Sequence, residues 1–133
     1  MVTVGVQNGF ARVVAVVAAI GLLVLGIWAY AAPQSFFHNV ATFPPYNRHL
    51  IHDIGAFLTG LGAVLVFGLL TADALFAALA GVAVGLLLHG GAHIEDRALG
   101  GRPSDPYVLS ILGAIVAVAA GARAIAVRRA PRA

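Results

Sequence analysis

From Val13 to Ala32 the chain carries no charged residue. A bilayer core about 30 Å thick is crossed by about 20 apolar residues in helical form. No soluble fold requires such a run. In hydrocarbon it constrains the backbone almost completely, because every N–H and C=O must find its partner inside the segment. The pattern recurs. Candidate spans cover about 11–32, 50–70, 74–93 and 107–127, with Arg12, Asp53 and Arg123 close to their ends. The sequence therefore predicts an all-α integral membrane protein, a single four-span domain over 1–133 folded as an antiparallel four-helix transmembrane bundle. Arg12 ahead of the first run, with Ala29-Tyr30-Ala31 behind it, also resembles a secretory signal. The run is long for a signal peptide, so it is assigned as the first span.

Composition agrees. Only 10% of residues are charged and 61% are hydrophobic, with a mean hydropathy of +0.97, whereas soluble domains carry roughly 25% charged residues. An ordinary soluble enzyme and a disordered segment are excluded. All basic residues are Arg, and none forms a stripe interleaved with aromatics, so a nucleic-acid partner is not expected. There is no Cys, which removes disulfides, thiolate metal sites and thiol redox chemistry.

Orientation follows the placement of Arg. Arg12 lies near the N-terminus, and Arg123, Arg128, Arg129 and Arg132 lie near the C-terminus. Both termini are expected in the cytoplasm. The first and third loops then face outward. The third balances Glu95, Asp96 and Asp105 against Arg97 and Arg102; Arg48 is the one basic residue of the first loop. Asp73 marks a tight connection between the second and third spans. Pro33, Pro44, Pro45, Gly100, Gly101, Pro103 and Pro106 mark the outer loops. Trp28, Tyr30, Phe36, Phe37, Tyr46 and Tyr107 form an aromatic belt near the outer interface, and Tyr46 beside Asn47 is placed to line a pocket mouth.

Every His falls at the outward end: His38 in the first loop, His49 and His52 opening the second span, His89 and His93 closing the third. In a helical hairpin the start of one helix lies beside the end of the next. His49, His52, Asp53, His89 and His93 are thus expected at one level between the second and third helices. Phase adds to this. Ala77, Gly81, Gly85, His89 and His93 recur every four residues, as do His52, Ala56 and Gly60. Small residues at that spacing suit close helix packing in lipid, so both faces are expected to turn inward.

Three chemistries use these residues. A transition metal (zinc, copper or iron) would be held by His89 and His93, completed by His52, His49 or Asp53. A b-type haem would take His52 and either His89 or His93 as axial ligands. A proton or ion path would use Asp53 and the His residues as relays, but only Thr59, Thr71 and Asp73 could continue it inward. The same residues also serve as a structural polar network. No phosphate loop, nucleotide fingerprint or nucleophile elbow is present.

The stretch Pro45-Tyr46-Asn47-Arg48-His49-Leu50-Ile51-His52-Asp53-Ile54-Gly55-Ala56-Phe57 resembles small four-span bacterial membrane proteins of the DoxX-like type. The ending His89-Gly-Gly-Ala-His93, followed by Asp105, is similar to uncharacterised actinobacterial members. The matching residues are Asn47, His52, Asp53, Gly55, His89 and His93. The resemblance implies a four-helix bundle in the bacterial cytoplasmic membrane, with some relatives tied to quinol or thiol redox complexes. Two functions are therefore expected to compete. One is metal or haem binding at the outward cluster, for redox or metal handling. The other is a non-catalytic accessory subunit of a larger respiratory or transport complex. The lipid bilayer, larger complex subunits and further copies of the chain are the expected partners.

Overall fold

The computed structural model describes residues 4–71 and 74–130. Asp73, the predicted marker of the second connection, lies outside them. Among the described residues the structure is entirely helical: α1 (Val4–Ala31), α2 (Pro33–Asn39), α3 (Arg48–Leu70), α4 (Leu75–Glu95) and α5 (Asp105–Arg129). Four of these, with α1 counted from Asn8, are long and apolar enough to cross a membrane. The 23 residues of α3 extend about 34 Å at 1.5 Å per residue, slightly more than a bilayer core. This suggests a multi-pass membrane protein whose outer surface contacts lipid.

The four predicted spans fall within α1, α3, α4 and α5 except at Ala32 and Ala74, which lie just outside the helices. The short helix α2 is an addition. Pro33, read as a loop marker, occupies the first helical position, where its missing N–H costs nothing. Pro106 likewise sits in the first turn of α5.

The four long helices form a ring in the order α1, α3, α4, α5, and the α3–α4 seam is the thinnest. The α1–α3 seam is built on glycine. A Cβ on Gly26 would lie 2.5 Å from the Thr59 nitrogen, and one on Gly55 would lie 2.7 Å from the Tyr30 nitrogen. Leu23 fills the space beside Gly62, so the register is antiparallel. The α4–α5 seam repeats the device: Gly90 meets Ser110, and Gly113 meets Leu87.

The core is divided along the bundle axis. The main cluster includes Ala11, Ala15, Ala19, Leu65, Leu75, Leu79, Val82, Val116 and Ala119, all toward the end that carries the chain termini. Toward the histidine end, a second cluster of Ala29, Phe36 and Ile51 joins α1, α2 and α3 alone. Beyond Ala83 only Gly90 of α4 is buried, and before Val116 only Gly113 of α5 is. The histidine end therefore consists of two arms, α1–α2–α3 and α4–α5. They are tied by the Gly101 N–H donating to the Thr42 carbonyl at 3.1 Å and by the Arg102 guanidinium donating to the Asn39 carbonyl. Gly101 has φ +80, a left-handed conformation that glycine adopts without penalty.

This arrangement corrects the expected helix phase. Ala77 and Gly81 are exposed, and a Cβ on Gly81 would meet nothing within 4 Å. Gly85 only grazes Leu61, at 4.0 Å. On α3, Ala56 and Gly60 are also exposed. The buried face of α4 is Leu75, Ala78, Leu79, Val82 and Ala83. Leu65, Leu75, Leu79 and Val82 fill the centre of the ring together with the alanine stripe Ala11, Ala15 and Ala19, and the expected stripes of α3 and α4 lie outside it.

Candidate functional site

The two arms separate the histidines. On the first arm, Asn47 caps α3 by accepting the Leu50 N–H on its side-chain oxygen at 3.1 Å. The helix thus starts at Arg48, and His49, His52 and Asp53 occupy its first two turns. Asp53 finds its partner in His49, at 3.6 Å one turn away. With His49 87% and Asp53 48% exposed, this is a surface contact of about 0–1 kcal/mol at most. His52 turns toward α1, its ring 5.1 Å from that of Tyr30 and tilted by 30°. His38 lies on α2 against Phe37.

On the second arm, His89 and His93 are stacked one turn apart on α4, with their Nε2 atoms 3.1 Å apart. His93 points its other ring nitrogen at α5. Its Nδ1 lies 3.9 Å from Oδ2 of Asp105, and the two side chains are only 16% and 21% exposed. That distance is an electrostatic contact rather than a hydrogen bond. Phe43, from the loop between α2 and α3, packs edge-on against His93 at 5.2 Å and 86°.

Local sequence explains this geometry. The close approach at Gly90 and Ser110 draws the start of α5 against the end of α4. Asp105 opens α5, where a carboxylate is favoured by the helix dipole. The Arg102 N–H donates to its Oδ2 at 2.8 Å, which fixes the carboxylate from behind. The Asp105 charge lies on the Nδ1 side of His93, and the Nε2 of His93 is within hydrogen-bond distance of the Nε2 of His89, so one ring donates there and the other accepts.

Of the five predicted site residues, the structure joins His89 with His93 and His49 with Asp53, and places His52 beside Tyr30. Among the described residues no three His, Asp or Glu side chains gather closely enough to hold one ion between them. Asp105, absent from the predicted set, is the added participant. The same hairpin logic, applied to α4 and α5 instead of α3 and α4, points to it. Glu95 and Asp96 are exposed at the end of α4.

The pair suits metal ligation in one specific respect. Two imidazole nitrogens at about 2.0–2.1 Å from an ion, at angles of about 90–110°, stand about 2.9–3.4 Å apart. The observed 3.1 Å falls inside that range, and without an ion it is the length of a hydrogen bond between the two rings. A haem between His52 and His89 would need their rings to face each other across a porphyrin; instead they lie against Tyr30 and His93. No family model matches the chain, and neither a curated protein nor a solved structure does.

Proposed function

We propose that this is a multi-pass protein of the bacterial cytoplasmic membrane, of the DoxX-like kind, that binds a transition metal at His89 and His93. Asp105 is the carboxylate that orients His93. The observation that carries this is the 3.1 Å separation of the two Nε2 atoms, with Asp105 behind one of them. Both termini lie in the cytoplasm in this proposal, on the strength of Arg123, Arg128 and Arg129 at one end. The metal site then faces outward.

Two protein donors leave several coordination positions for water or an incoming group. Closed four-ligand sites are structural, whereas open ones bind and exchange. The proposed role is therefore metal handling rather than metal-stabilised folding. Zinc, copper and iron all accept imidazole.

The test is calorimetric titration of the detergent-purified full chain with Zn2+. One ion per chain is expected. Binding should be lost in His89→Ala and in His93→Ala and kept in His52→Ala. Equal loss in all three variants, or no binding by the native chain, would overturn the assignment.

A further inference from the structure

On the first arm, the starts of α2 and α3 flank a shallow, open recess of about 430 Å³, lined by Ala32, Pro33, Gln34, Ser35, Tyr46 and Arg48. Its volume falls in the range of small-ligand sites, about 300–1,000 Å³. We propose that this recess binds the phosphate group of an anionic membrane lipid.

Four of the six lining residues, Gln34, Ser35, Tyr46 and Arg48, carry side-chain donors, and none is a carboxylate. Arg48 is exposed, and among the described residues it has neither an ion pair nor a side-chain hydrogen bond. This contrasts with Arg102 and Arg123, whose guanidinium groups are engaged by Asn39 and Asn8. Ser35 accepts a hydrogen bond from the Trp28 indole at 3.2 Å, so its hydroxyl proton is available to the recess. Gln34 and Tyr46 add an amide and a phenol. Arginine donates in a planar fork that matches phosphate oxygens.

Position selects a lipid as the source. The recess lies where α1 ends at Ala31 and α3 begins at Arg48, both ends of apolar helices. Aromatic rings lie beside it: Phe37 meets the lining residue Tyr46 edge-on at 5.2 Å, and Trp28, bonded to Ser35, meets Phe36 edge-on at 5.6 Å. Aromatic side chains of this kind settle at the headgroup level. An arginine there adds about 1 kcal/mol of attraction to anionic lipid, a factor of about five in affinity.

The experiment is native mass spectrometry of the delipidated full chain in detergent, titrated with phosphatidylglycerol, phosphatidylcholine or inorganic phosphate. The native protein should prefer phosphatidylglycerol over phosphatidylcholine. Arg48→Gln should weaken phosphatidylglycerol about fivefold, and Ser35→Ala should weaken it to a smaller degree. Arg97→Gln, a loop arginine at the same end, should change nothing. Arg48 is exposed, so its replacement leaves the helix seams intact. Arg48-dependent binding of inorganic phosphate as tight as that of the lipid would keep the phosphate site and make soluble phosphate its source. Equal binding of both lipids, or an Arg48→Gln protein that binds like the native one, would overturn the proposal.

Discussion

Replacing Gly55 with Ala tests the seam that holds the first arm together. The added Cβ would lie 2.7 Å from the Tyr30 nitrogen, 2.9 Å from the Gly26 carbonyl oxygen and 3.1 Å from the Tyr30 Cα. All three are backbone atoms, which cannot rotate away. Ordinary contact begins at 3.4 Å, so α1 and α3 must part by about 0.7 Å (3.4 − 2.7) at this point. A gap of that size forfeits about a quarter to a half of each dispersion contact it opens. The contacts at stake include Gly26 with Thr59 and Leu23 with Gly62. Overpacking costs about 1–3 kcal/mol, and a backbone-to-backbone clash belongs at the upper end, about 2–3 kcal/mol. Gly60 is the control. It lies on the same helix with nothing within 4 Å of its Cβ position, so Gly60→Ala should be neutral or stabilising by about 0.5 kcal/mol. The assay is reversible unfolding in mixed dodecyl maltoside and SDS micelles, followed by far-UV circular dichroism. If the two variants differ by less than about 0.5 kcal/mol, the tight α1–α3 seam is refuted.

Three further outcomes are expected. Asp105→Asn removes the charge behind His93 and should weaken Zn2+ binding by up to about tenfold while leaving the melting profile close to native, which parallel calorimetry and circular dichroism would check. Acidification from about pH 7.5 to about pH 5.5 should release the ion, because a protonated imidazole has no lone pair to donate; dialysis followed by elemental analysis measures this, and retention at the lower pH would contradict a two-imidazole site. Asn8→Ala removes the acceptor of the 2.7 Å hydrogen bond from Arg123 and should destabilise the fold by about 1.5 kcal/mol in the same micellar unfolding assay, with Zn2+ affinity unchanged.

The four long helices were legible because each is an uninterrupted apolar run long enough to cross a membrane, as from Val13 to Ala31. The pairing of helices was not legible. In a soluble helix, a polar face marks the outside. Here both faces are apolar, so Gly81 and Gly85 look as well suited to packing as Gly55 or Gly90. What separates them is the atom each one meets. Gly55 and Gly90 press on the backbone of Tyr30 and Ser110, while Gly81 meets nothing. The same ambiguity governed the site. The contact between His89 and His93 was legible from their spacing, and hairpin geometry offered two neighbours for the end of α4. Choosing α3 led to His52, which the structure places on Tyr30. The neighbour that lies there is the start of α5, with Asp105. The helix α2 was missed because Pro33 breaks α1 and opens the next helix at once, and loop and first-turn prolines look alike in a sequence.

The proposed metal site takes two imidazoles, those of His89 and His93, as the protein's donors. Electron paramagnetic resonance of the Cu2+-loaded full chain tests it most directly, because nitrogen hyperfine splitting counts the imidazole donors. Coupling to two nitrogens is predicted for the native protein and for His52→Ala, and its loss in His89→Ala. Coupling to no nitrogen, or a native pattern that His52→Ala abolishes, would contradict the account.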